Sequence, residues 1–150
     1  SDIELIIMGD GVAKKDLKKQ VKKTSANVTF FDYQPINIVK DAIKKADIGL
    51  VTLMPNTYKY AYPGKVMTYL EQGRPFISTI EPESELAITM KNEGFGFSVV
   101  GSDTTKIANL FTKLADDTSW KLKMYDAAKI AYEKNFTMNK ILNQWSNLIV

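Results

Sequence analysis

Apolar residues along this chain gather into short, nearly continuous runs, separated by stretches in which they recur three and four positions apart. The runs near 3–8, 27–31, 47–53, 75–80 and 96–100 predict strands. They are continuous rather than alternating, as parallel strands buried on both faces should be. The intervening stretches predict helices near 12–23, 36–46, 64–72, 84–93 and 104–116, with two more from 118 to the end. Strand and helix alternating in this way predict an α/β fold, a three-layer α/β/α arrangement with right-handed crossovers. No internal repeat, low-complexity segment or linker breaks the pattern, so residues 1–150 are expected to form one domain.

The most informative stretch is YPGKVMTYLEQGRPFIST, from Tyr62 to Thr79. A Pro63-Gly64 turn opens a helix that carries Val66, Tyr69 and Leu70 on one face. Gly73 is the expected left-handed residue at its end, and Arg74-Pro75 prevents continuation into the strand that starts at Phe76. Lys65 falls in the first turn, where the helix dipole is already positive and a cation is locally unfavourable. A lysine there makes sense if an anion is held between it and the free backbone N–H groups, and phosphate is the obvious anion.

Composition narrows the chemistry. With 45% hydrophobic residues in 150, the chain can bury about two-thirds of its unfolded surface as an ordinary water-soluble domain. No apolar run approaches the roughly 20 residues that span a bilayer, and no signal-peptide pattern precedes the first expected strand. The absence of cysteine excludes disulfides and thiolate metal sites. The absence of histidine excludes Ser-His and Cys-His catalysis and histidine-ligated metals, so no metal site is expected.

The net charge of +3 is modest, but lysines cluster between Lys14 and Lys23 on one side of a helix whose buried side is marked by Leu17 and Val21. Such a run reads first as a solvated face, and second as attraction to an anionic membrane surface. No aromatic residues are interleaved with it, which argues against nucleic acid.

Other candidates carry two readings each. Gly9 and Gly11 permit a tight strand-to-helix turn or a phosphate contact. Asp32 and Tyr33 follow the second strand, where turn residues are common. The loop from Asn56 to Tyr62 lies at the carboxyl end of the third strand, where open α/β sheets bind ligands. Its Tyr58, Tyr60 and Tyr62 stack on a base or sugar, or cap the core edge. Glu85 belongs to an acidic turn before a helix, where acids are favoured in any case. Glu71 is expected in solvent, and Trp120, Tyr125 and Tyr132 are expected to pack the C-terminal helices onto the sheet. The stripe Ile141, Leu142, Trp145, Leu148 and Ile149 needs an apolar surface to cover it; its far end, around Trp145, is expected either to stay partly uncovered or to fold back onto the sheet.

The ordered set of segments resembles the donor-binding, C-terminal half of GT-B glycosyltransferases of the family 4 type. Met8 to Val21 resembles that family's strand, Gly-x-Gly and helix unit, and Ser25 to Pro35 its next strand and turn. Asp47 to Val51 resembles the strand before the donor loop, Pro63-Gly64-Lys65 the turn that opens the donor helix, and Gly94 to Val100 the closing strand. The resemblance implies a Rossmann-like domain with a parallel sheet of about five strands, in the expected order 2-1-3-4-5 if the sheet closes up where the family's central strand would lie; a hole there or a swapped strand are the alternatives. It also implies a fragment, without the acceptor-binding N-terminal domain and without a first strand–helix unit, so residues 1–150 alone are expected to transfer no sugar.

The implied function is retaining, metal-independent transfer of a hexose from a nucleotide-sugar, UDP-linked by expectation, to a polysaccharide or lipid-linked acceptor, as in bacterial capsule or exopolysaccharide synthesis. No cofactor is implied, since the nucleotide-sugar is a substrate. The implied location is cytoplasmic, at the inner face of the membrane, with peripheral association. Donor contacts would come from Gly9, Gly11, Asp32, Tyr33, Tyr60, Tyr62, Gly64, Lys65, Thr68 and Glu85. No catalytic residue can be named. One departure matters: the family's ribose-binding glutamate is Thr68 here, and its upstream partner is Tyr60. A neutral hydroxyl makes a weaker bond than a carboxylate. The alternative is therefore a non-catalytic partner that keeps the fold and binds nucleotide-sugar. A receiver-like signalling domain is a third reading, but Met8-Gly9-Asp10 offers one acid where such domains need a cluster.

Overall fold

The computed structural model describes residues 3–53, 63–101 and 103–147. Strands β1 (Leu5–Met8), β2 (Val28–Phe31), β3 (Gly49–Thr52), β4 (Phe76–Thr79) and β5 (Gly96–Val99) alternate with helices α1 (Lys14–Val21), α2 (Ile36–Lys45), α3 (Gly64–Glu71) and α4 (Glu85–Glu93). Helices α5 (Thr104–Asp116), α6 (Trp120–Asn135) and α7 (Met138–Ser146) follow. All strand pairs are parallel, in a Rossmann-like α/β arrangement.

The sheet is not continuous. β1 pairs with β2, and β3, β4 and β5 form a second sheet in that order. The expected order 2-1-3-4-5 required β1 beside β3, and among the described residues that pairing is not made. Burial shows why the two parts differ. Not one residue between 3 and 47 is fully buried, and Ile6, Leu17, Phe31, Ile36 and Ile38 are exposed. A parallel pair gains its stability from cover on both faces. The β1–β2 unit lacks that cover, so little apolar burial draws β1 against β3.

The core sits on the second sheet. On one face Val51, Phe76 and Ile80 pack with Val66 and Leu70 of α3, Leu86 and Met90 of α4, and Ala128 and Ala131 of α6. On the other, Ile77 and Val99 meet Leu114 of α5, with Leu110, Phe111 and Trp120 alongside. Trp120 packs on this second cluster as expected, meets Tyr125 edge-on at 6.3 Å and donates from its indole to the Leu114 carbonyl at 2.9 Å. Tyr132 packs on the first cluster.

Polar ties join the N-terminal part to the rest. Lys40 of α2 lies 2.7 Å from Glu71 of α3, so Glu71 is an ion-pair partner rather than a solvated acid. Lys121 lies 2.7 Å from Asp47. Arg74 donates to the Lys44 carbonyl and stacks over the Tyr125 ring at 4.3 Å.

α3 ends as its sequence demands. Gly73 adopts φ +61°, its N–H reaches the Leu70 carbonyl, and the Arg74 N–H reaches back to that of Tyr69. The chain can then turn into β4 within two residues. On α7, Trp145 is 61% exposed, and Met138 and Leu142 are exposed beside it. The far end is uncovered as far as it is described; Leu148 and Ile149 lie outside the described residues.

Candidate functional site

The candidate residues follow the carboxyl ends of the strands. α3 begins directly after Pro63, whose fixed φ of −63° suits a helix start and whose carbonyl accepts from the Val66 N–H at 2.9 Å. Among the described residues no acceptor meets the backbone N–H groups of Gly64 and Lys65, and no acid lies in this first turn. Lys65 is exposed and has no ion-pair partner among the described residues. Among the described residues, two unbonded donors and a cation therefore share one helix start of positive potential.

The platform beneath is rigid. Val66 and Leu70 are wholly buried, and Tyr69 stacks on Phe76 with centroids 6.0 Å apart. Thr68 sits one turn further along, half-buried, with its hydroxyl turned toward the Gly64 carbonyl at 3.5 Å.

A second group forms where β1 and β2 end. Gly9 has φ +133°, a conformation that side chains resist, and its N–H donates to the Phe31 carbonyl at 3.2 Å. Lys14, in the first turn of α1, gathers this group. Its Nζ donates to the Gly9 carbonyl at 2.8 Å, the Phe31 carbonyl at 3.2 Å and the Asp32 carboxylate at 2.6 Å. Asp10 lies 3.7 Å from the same nitrogen. The Lys14 side chain is only 13% exposed. It is therefore not part of a solvated lysine face, as the run of lysines suggested. Lys14, like Lys65, stands in the first turn of a helix, but in the sequence the run of like neighbours hides it.

Gly11 lies in the turn between, its N–H on the Asp10 carboxylate at 3.2 Å, and Tyr33 projects into solvent, 80% exposed. The hydrogen bond from Lys14 holds the Asp32 carboxyl below its ordinary value, and the same bond raises the Lys14 ammonium. The signs fix a window. The Asp32 contribution is complete above its ordinary value of 3.8 and is lost as the pH falls through the depressed one. The Lys14 contribution is complete below 10.5 and is lost as the pH rises through the raised one. The amides of Gly9 and Asp32 are expected to hold constant NMR shifts between those limits. In Lys14→Met the Asp32 titration should move back up to the ordinary carboxylate value; an unmoved titration would show that the bond is not formed in solution.

Glu85 is the first residue of α4, exposed, beside the cap at which Ser84 Oγ accepts from the Ala87 N–H at 3.2 Å. Tyr60 and Tyr62 lie outside the described residues. The structure thus brings Gly9 and Asp32 together through Lys14, and places Gly64, Lys65 and, one turn on, Thr68 along the start of one helix. Among the described residues no hydrogen bond or ion pair joins these two groups to each other or to Glu85. The α3 start can hold a polyanion; no side chain there is placed as a general base. Among the described residues no helix is long and apolar enough to cross a membrane.

The family model described as "Glycosyl transferases group 1" matches residues 1–117. No curated protein matches the chain.

Proposed function

Since this chain belongs to the group 1 glycosyl transferases, we propose that it is the nucleotide-sugar-binding domain of a GT-B enzyme of the family 4 type. The enzyme would move a hexose from a UDP-sugar to a polysaccharide or lipid-linked acceptor. The family match speaks for sugar transfer itself and does not favour a non-catalytic binding partner. The observation that carries the donor reading is the start of α3, where Lys65 shares one turn with two N–H groups that no acceptor meets among the described residues, and with no acid. A diphosphate supplies the charge and the acceptors that this turn lacks.

In this reading Gly64 and Lys65 hold the diphosphate, and Thr68 with Tyr60 takes the ribose. Gly9, Gly11, Asp32, Tyr33 and Tyr62 approach the nucleoside, and Glu85 the sugar. Phosphate charge that builds on the leaving group would be neutralised by Lys65 and the helix start, which is how such a transfer proceeds without a metal. Retention of configuration, a donor that is substrate rather than cofactor, and work at the cytoplasmic face of a membrane belong to the same proposal.

Titrating the labelled chain with UDP and following backbone amides by NMR tests it. UDP is expected to shift Gly64, Lys65 and Val66, and uridine alone is expected to leave them in place. UDP that fails to move these three amides would sink the reading.

A further inference from the structure

β5 is the last strand of its sheet, and among the described residues no strand lies on its outer side. The Val99 carbonyl accepts from the Ile80 N–H of the inner side at 3.0 Å. Backbone groups in a parallel strand alternate between its two sides. Gly96 and Ser98 therefore turn their N–H and C=O groups outward. Along this edge runs a groove of about 680 Å³, with Phe97 and Leu110 in its apolar floor. Lys91, Lys106, Lys113 and Lys123 stand around it, and no aspartate or glutamate is among the residues that line it. All four lysines are exposed, and none has a carboxylate within ion-pair distance among the described residues.

We propose that this groove receives an extended acidic peptide from a partner protein, which adds as a further strand to the outer edge of β5. The reading does not depend on the donor site. Open edges are commonly protected by a lysine on the strand itself. Here the strand is Gly-Phe-Ser-Val, and the lysines stand on the neighbouring helices α4, α5 and α6. They leave the backbone accessible and select its partner by charge. A peptide strand supplies the alternating donors and acceptors that Gly96 and Ser98 need, and every second side chain meets the apolar floor. A second copy of this chain would bring like-charged lysine sets together. A membrane is flat and a nucleic acid backbone offers no N–H donors, so both match the edge less well.

The test uses an acetylated heptapeptide of alternating glutamate and valine, with its lysine–valine counterpart as control. The acidic peptide is expected to bind at least about tenfold more tightly, to slow amide exchange at Gly96 and Ser98, and to weaken as salt is added. Lys106→Glu with Lys113→Glu should reduce its binding about tenfold or more, while both residues lie on the solvent side of α5 and the fold is kept. A peptide N-methylated along one edge keeps its charge and should lose binding. Equal binding of both charge types, or full binding of the methylated peptide, would overturn strand addition. So would phosphatidylserine vesicles or a single-stranded oligonucleotide moving the Gly96 and Ser98 amides where the acidic peptide does not.

Discussion

Lys65→Ala is expected to weaken UDP binding by about 1.5–3 kcal/mol, the usual size of a charge-assisted hydrogen bond. That corresponds to roughly 10- to 150-fold in Kd. The loss should come without a loss of fold. Lys65 is exposed, and α3 is anchored instead by the buried Val66 and Leu70. A cation at a helix start opposes the dipole, so the ligand-free variant should be as stable as the parent or firmer by about 0.3–1 kcal/mol. Binding and stability are thus expected to move in opposite directions. Titration calorimetry and urea unfolding on the same variant measure both. Unchanged affinity for UDP would remove Lys65 from the site, and a matching fall in stability would show that the lysine holds the helix instead.

Phe76→Ala should cost about 3–5 kcal/mol, the range for deleting a buried aromatic ring. Phe76 begins the central strand β4 and is wholly buried. Its ring lies 6.0 Å from that of Tyr69 and 5.8 Å from that of Phe95. Both strand neighbours in register are glycines, Gly49 and Gly96. These glycines make room for the layer above. A Cβ on Gly49 would come within 2.5 Å of the Tyr69 ring, and one on Gly96 within 2.4 Å of the Phe76 carbonyl. With the ring gone, neither register neighbour has a side chain to lean into the space, so a cavity is expected to remain. Domains are stable by about 5–15 kcal/mol in all, and this one change removes a large share. Urea unfolding checks it. A loss below about 1 kcal/mol would mean that the site collapses around the gap.

Much of this fold was legible because its signals are local. Buried parallel strands read as apolar runs, and helices read by spacing, so each element from β1 to α5 falls within a residue or two of its expected bounds. Gly73 and Arg74-Pro75 announced the end of α3 because the left-handed turn there needs glycine. The break between β1 and β3 was legible only as one of three alternatives, a hole where the family's central strand would lie. Whether two strands pair depends on cover supplied from elsewhere in the chain, and no residue of β1 carries that information.

The sites divide in the same way. Lys65 could be found because its charge is wrong for its place in a helix, a property of a few adjacent residues. Lys14 was hidden in a run of like neighbours, since only the fold shows that its side chain turns inward to the ends of two strands. Glu71 was misjudged for the same reason: Lys40, its partner, is 31 positions away.

The divided sheet also gives the molecule two clocks. The β1–β2 part, with no fully buried residue, is expected to open at a smaller free-energy cost than β4, whose four residues are all buried. A nucleotide that touched both Asp32 and Lys65 would set them to one time, since leaving the first part free to open would mean giving up half its contacts. The cost of ordering that part would be taken from the affinity. The ligand's departure would begin there too, because the loosest part of the protein is the first to open.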